Sequence, residues 1–206
     1  ETDISINILQ NTEVFVNIGA NIGYYSCLAL RNKVYSILFE PMQSNLAILY
    51  RNLYSNNFAG MYELYPIALS NRSGLIEMFG SGTGASTIKG WANTPEWYVS
   101  LVPVSTLDTI LGSRLHNKKC FFLMDVEGAE RWVLEGATNI LCNSEPKPIW
   151  MVEISTTEHQ PEGVHINPNY LATFELFWKS GYEAWTASKL IRKIDSQEIH
   201  RMLKEG

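Results

Sequence analysis

Cysteine is scarce in this chain of 206 residues, and the three present form no pattern. Cys27, Cys120 and Cys142 are far apart and odd in number, which fits neither a zinc knuckle nor a disulfide framework. Each sits in apolar sequence, the setting of a buried reduced thiol, and on that ground a cytoplasmic location is expected. No apolar run approaches the ~20 residues that span a bilayer, so no membrane crossing is expected. Positive charge is also thin. Sixteen Lys and Arg against 21 Asp and Glu leave a net charge of −5. An acidic chain with scattered cations presents no electrostatic footprint for nucleic acid. Linkers, repeats and low-complexity tracts are missing too, so residues 1–206 read as one domain. Residue 1 is Glu, which leaves room for an upstream segment. The one sequon, Asn71-Arg72-Ser73, is too short a match to carry weight.

What the chain does have is apolar sequence, 46% of it, with only 18% charged residues, enough for a sizeable core. Strand and helix patterns alternate along it. Val14–Ile18, Val34–Phe39, Glu63–Leu69, Cys120–Met124 and Ile149–Ile154 read as buried strands, and Leu75–Phe79 and Val102–Val104 as shorter extended pieces. Helical spacing predicts helices over Asn21–Leu30, Gln43–Asn56, Thr106–Leu111, Ala129–Glu135 and Tyr170–Ser180. The Gly/Ser/Thr-rich stretch Gly80–Gly90 and the segment Thr156–Asn169 read as loops, and Glu183–Ala187 with Leu190–Ile194 as a terminal hairpin. Such alternation predicts an α/β fold with a mostly parallel sheet.

Val16-Asn17-Ile18-Gly19-Ala20-Asn21-Ile22-Gly23 is the strongest local signal. A buried strand runs into a tight turn and then a helix, at the sheet edge where open α/β folds bind ligands. Gly19 and Gly23 allow close approach of the backbone, and a helix opening at Asn21 offers free N–H groups to an anion. Dinucleotide binding needs G-x-G-x-x-G. With Gly19 as the middle glycine, Asn17 and Ile22 stand where the other two belong, which counts against an NAD(P)-dependent oxidoreductase. Glu40 directly follows the second strand, 21 residues after Gly19. A carboxylate there is placed to accept both hydroxyls of a ribose.

In the second half, Leu107-Asp108 precedes Met124-Asp125-Val126-Glu127-Gly128-Ala129-Glu130 and Val133-Leu134-Glu135-Gly136-Ala137. Together with Val16–Gly23, Phe39-Glu40-Pro41, Ala68-Leu69-Ser70 and Val152-Glu153-Ile154, this order resembles the FkbM-type methyltransferase family, over residues 10 to 185 or so. The resemblance implies a Rossmann-like class I methyltransferase fold, a seven-stranded sheet with a C-terminal antiparallel hairpin. It also implies S-adenosylmethionine as cofactor, held by Asn17, Gly19, Asn21, Gly23, Glu40, Ala68 and Asp125, and methylation of a hydroxyl on a sugar, glycan or secondary metabolite. Relatives usually carry Asp where this chain has Asn17, and often Lys where it has Leu123. These departures keep open a cofactor-binding domain with impaired catalysis.

Methylating a hydroxyl calls for a general base. Asp125, at the end of the strand that enters D-V-E-G, is the first choice. Glu127 reads as substrate-binding or structural, a carboxylate in the first turn of a helix. Glu153, at the end of the next strand, and His159, in the loop beyond it, are the rival base pair, with His165 a weaker choice. Asp125, Glu153 and His159 could together ligate a metal, but no tight ligand spacing supports one and none is expected. Trp91, Trp97 and Tyr98 fall in or after the glycine-rich loop, which suits an active-site lid. They read either as stacking faces for an acceptor or as packing for the lid. Trp132, Trp150, Trp178 and Trp185 read as core.

Overall fold

The computed structural model describes residues 1–95 and 97–205. Five strands form its central sheet, in the order β3 (Tyr62–Tyr65), β2 (Tyr35–Phe39), β1 (Val14–Ile18), β7 (Cys120–Met124), β8 (Ile149–Val152), all pairs parallel. β1 and β7 are central and every residue in them is buried, which is why they read as unbroken apolar runs. Side chains alternate between two cores. Val14, Val16, Ile18, Phe122 and Met124 face one side, packed with α4 (Leu107–Leu111), α5 (Glu130–Glu135), α6 (Thr138–Asn143) and α7 (Tyr170–Lys179). Phe15, Phe121 and Leu123 face the other with α1 (Thr2–Leu9) and α2 (Tyr24–Arg31), and α3 (Gln43–Ser55) packs against the β2 side of that same face.

Several expectations need correction. The seven strands do not make one sheet. The run Glu63–Leu69 breaks at Pro66, which lacks the N–H that a continuing ladder needs. Beyond it, β4 (Ala68–Leu69) leaves the central sheet and pairs with β6 (Val99–Ser105), itself antiparallel to β5 (Gly74–Phe79). This second sheet of three strands stands over the β2 end of the first and packs its own small core of Met42, Ala68, Met78, Val102 and Val104. The terminal hairpin, β9 (Ala184–Trp185) with β10 (Lys193–Ile194), is present but pairs only with itself. Trp185 is about half exposed there, not core, and lies under the ammonium of Lys193. α8 (Ser196–Glu205) follows and buries Ile199 against α7. Cys120 is buried as expected, but Cys27 is half-buried and Cys142 exposed; all three are free thiols.

Two signature residues turn out to be structural. Asp108 caps α6 from a distance, accepting from the backbone N–H of Asn139 at 2.8 Å and of Ile140 at 3.1 Å. A side chain at Gly136 would put its Cβ 2.1 Å from the Ser70 carbonyl oxygen, so only glycine lets α5 end against the β4 segment. Among the described residues, no helix is long and apolar enough to cross a membrane.

Candidate active site

The carboxyl ends of β1, β2 and β7 open into a cleft, roofed by the second sheet and the loop after β5. Of the residues expected to hold a cofactor, Gly19, Asn21, Glu40, Ala68 and Asp125 line it, and Asn17 and Gly23 do not. Glu127 lines it too, together with Met42, Asn45, Gly82 and Thr83.

The β1 turn is held more tightly than a bare helix N-terminus. α2 starts at Tyr24, not Asn21, because Asn21 (φ 52°) and Gly23 (φ 94°) both take left-handed backbone. The Asn21 N–H is therefore not free for an anion. It donates to Glu40 Oε2 at 2.8 Å. The glycines serve close packing: a Cβ on Gly19 would lie 1.8 Å from the Asp125 carbonyl oxygen, and one on Gly23 would lie 2.5 Å from the Leu49 side chain. Gly23 thus seats α2 on α3, and Gly19 lets the ends of β1 and β7 meet beneath the cleft.

Glu40 is only 3% exposed. Its Oε1 accepts from the Met42 N–H at 2.9 Å and the Asn45 amide at 3.1 Å, in addition to the Asn21 bond on Oε2. Burial raises its pKa, and those three hydrogen bonds oppose the rise. A carboxylate offers about four acceptor positions, so roughly one remains for a ligand. Asn45 also donates to the Gly82 carbonyl at 3.1 Å, which ties the roof to the acid. Two buried acceptors near the turn lack any partner among the described residues: Asn17 Oδ1 and Asn21 Oδ1. Asn17 is otherwise held by its amide, which donates to Ser26 Oγ at 2.9 Å.

β7 stops pairing at Met124, so Asp125, Val126 and Glu127 leave strand geometry and all three line the cleft. Glu127 takes a left-handed φ of 54°, at a cost of ~1–2 kcal/mol for a residue with a side chain. Its carboxylate accepts from Trp91 Nε1 at 2.7 Å, and its backbone oxygen from Ser86 Oγ at 2.6 Å. A buried hydrogen bond to a charged group contributes ~1.5–3 kcal/mol and can offset that strain. Glu130, 3% exposed, accepts the Gly128 N–H at 2.9 Å, and burial with Asp125 and Glu127 nearby pushes it up to about 7.

Asp125 is different. No hydrogen bond reaches its carboxylate among the described residues. Burial, then the charges of Glu153 and Glu127, push it up to about 7. It is also the residue shared with a second hollow on the β8 side, lined by Tyr25, Leu123, Met151 and Glu153. Leu123 therefore puts an apolar side chain into that hollow. Glu153 is exposed, and its pKa is raised by burial of part of its side chain and by neighbouring carboxylates, with His159 acting slightly the other way. His159 is exposed, lines neither hollow and makes no hydrogen bond to Glu153 among the described residues. Its ring lies 6.1 Å from that of Trp91, and its carbonyl accepts from Ala92 at 2.8 Å. His165 is exposed as well. Of the lid aromatics, Trp91 is buried, whereas Trp97 and Tyr98 face solvent. Among the described residues, no three His, Cys, Asp or Glu are grouped to hold a metal ion.

Residues 17–184 match the family described as the methyltransferase FkbM domain. The chain belongs to the FkbM methyltransferase family. Among solved structures it is similar to an FkbM methyltransferase from Methylobacillus flagellatus KT, at 22% identity and TM-score 0.51, over 81% of this chain and 37% of that one. It spans little more than a third of that structure. It is also similar to a precorrin-6y C5,15-methyltransferase from Geobacter metallireducens GS-15, at 10% identity and TM-score 0.49, over 94% of this chain and 81% of the other. A search of curated proteins returns no match. Within the FkbM domain, the sequence offers Trp91 as a lid aromatic but not as the partner of Glu127, and it assigns no role to Ser86, Asn45 or Glu130. Of these last three, Glu130 carries a visible signal, as a carboxylate in the first turn of α5.

Proposed function

We propose that this FkbM domain is an S-adenosylmethionine-dependent O-methyltransferase acting on a hydroxyl of a sugar, glycan or similar metabolite. The observation that carries the reading is the position of Asp125 between two hollows, at the carboxyl end of a central strand. The cleft on the β1–β2 side suits the cofactor. Its acceptors fit: Glu40 keeps an acceptor position for a ribose hydroxyl, and Asn21, which lines the cleft, has an orphaned oxygen that suits an ammonium group, with the orphaned oxygen of Asn17 buried behind it on β1. The hollow on the β8 side then receives the acceptor. S-adenosylmethionine, when bound, supplies an electrophilic methyl group on a positively charged sulfur.

The chain's own contribution is alignment and proton removal. Orientation of two reactants can supply up to ~7–11 kcal/mol. Asp125, with a pKa of about 7, is half ionised near neutral pH and is poised to take the proton of an acceptor hydroxyl. Glu153 stands nearby as the alternative acceptor of that proton. Leu123 puts an apolar side chain where relatives often carry Lys, in a hollow that Glu1, Asp125 and Glu153 also line.

Calorimetric titration tests the cofactor half of this reading. S-adenosylhomocysteine should bind, and NAD(P)H should not. NADH binding with none of the homocysteine nucleoside would overturn it. Transfer of labelled methyl to a panel of glycans and hydroxylated metabolites tests the acceptor half.

A further inference from the structure

One oxygen of the Glu127 carboxylate is committed inside the protein. Oε2 accepts the indole N–H of Trp91 at 2.7 Å, and Trp91 is 1% exposed. An indole N–H is a donor only, and Glu127 is the acceptor it has. The Glu127 carbonyl meanwhile receives Ser86 Oγ at 2.6 Å, and that same oxygen accepts the Ile88 N–H at 3.0 Å. Ser86 is fully buried. Shape follows the same contact. A Cβ on Gly128 would lie 2.7 Å from the Trp91 ring and 2.7 Å from Ile88, so the turn and the glycine-rich segment are moulded to each other. The segment is tied on its far side by Ala92, whose N–H donates to the His159 carbonyl at 2.8 Å.

We infer that Glu127 and Trp91 form a latch that holds the 80–94 segment over the cofactor cleft and fixes the D-V-E-G turn that carries Asp125. Glu127 is on this account a positioning residue, and Trp91 is another. The inference rests on the cofactor reading only for what lies beneath the segment. Glu127 lines the cleft, but the indole holds its Oε2 toward the segment. The positive φ of Glu127 belongs to the same device. It swings the side chain out of strand geometry toward the segment, while Asp125, two residues earlier, stays at the strand end.

Hydrogen exchange of the full chain, read by mass spectrometry without any ligand, tests the latch. Trp91→Phe keeps an aromatic ring and removes the N–H. It and Glu127→Ala should each speed exchange over 80–94 by ~10–100-fold, the worth of a buried hydrogen bond to a charged acceptor. The double variant should exchange no faster than the faster single one. Glu127→Gln retains an acceptor oxygen and should stay within a few-fold of the parent. Ser86→Ala should show a smaller acceleration in the same segment, and it keeps the test alive if Glu127→Ala fails to fold. Unchanged exchange in Trp91→Phe and Ser86→Ala would overturn the latch. So would slow exchange in Glu127→Gln combined with a loss of turnover as deep as in Glu127→Ala, since charge would then matter and the latch would not. Because no ligand is present, failure of the chain to bind S-adenosylhomocysteine would sink the cofactor reading and leave this result standing.

Discussion

Glu40 and Asp125 are two carboxylates at one edge of one sheet, and they are treated in opposite ways. Glu40, after β2, is sealed in and receives three hydrogen bonds. Asp125, after β7, is partly open and its carboxylate receives none among the described residues. Both pKa values are raised by burial, but the donors around Glu40 restrain the rise, and the carboxylates around Asp125 add to it. A group held by fixed donors keeps its place, which is what recognition needs. A group left without donors, among like charges, exchanges its proton near neutral pH, which is what a base needs. The two halves of the cleft differ in the same sense. The β1–β2 half is braced by Asn21, Met42 and Asn45, whereas the β7–β8 half ends in exposed Glu153 and a long loop.

The comparison is most sharply tested at Asp125. Asp125→Asn keeps the shape and removes the charge. Turnover should fall by roughly 10²–10⁴-fold, the usual contribution of a general base, with the folding midpoint little changed. The parent's kcat/KM should rise with pH up to about 7 and then level off, because the raised pKa leaves Asp125 protonated and inactive below that value. In kcat the inflection should move lower, since a bound cation favours the ionised form. Glu153→Gln and His159→Ala are the controls. Deep losses there with Asp125→Asn active would transfer the base to the β8 side.

At Glu40 the effect should be smaller and should fall on binding. Glu40→Ala removes the acceptor of Asn21, Met42 and Asn45 and should weaken S-adenosylhomocysteine binding by about 1.5–3 kcal/mol, measured by calorimetry. Loss of turnover at saturating cofactor, with binding unchanged, would erase the division of labour between the two acids.

The two acids were legible in the sequence because each directly follows a buried apolar run, and strand ends in such a fold collect at one edge. Their different treatment was not. Glu40's donors come from positions 21, 42 and 45, and only the first belongs to a recognisable motif. The latch joins residues 36 apart in the chain, Trp91 and Glu127, and no local pattern announces such a pair. The start of α2 was misplaced because Asn21-Ile22-Gly23 continues an apparent helical run, while Asn and Gly both tolerate the left-handed turn they adopt. The strand Glu63–Leu69 was overextended for a related reason. Pro66 marks the break, but Ala68 and Leu69 are apolar and buried, a character that suits a strand of either sheet and cannot say which they join.

The smallest effect is expected at Asn17, where the question is whether the β1–β2 half is complete. Asn17 is 2% exposed, its amide donates to Ser26, and its Oδ1 has no partner among the described residues. Asn17→Asp replaces that orphaned oxygen with part of a carboxylate. In the free protein the new charge would be buried with one hydroxyl donor, so the melting temperature should drop. With S-adenosylmethionine bound, an ammonium group near Asn17 would find a charged partner in place of a neutral one. Charge-assisted hydrogen bonds are about twice as strong as neutral ones, so the variant should bind more tightly by ~1 kcal/mol. Burial would raise the pKa of the introduced acid, and the gain should therefore be present at pH 8 and fade as pH falls and the acid protonates. Calorimetry at two pH values distinguishes the outcomes. Equal or weaker binding at both, together with the lower melting temperature, would mean that Asn17 serves Ser26 and the turn, and that the ammonium is held by Asn21 and the strand ends alone.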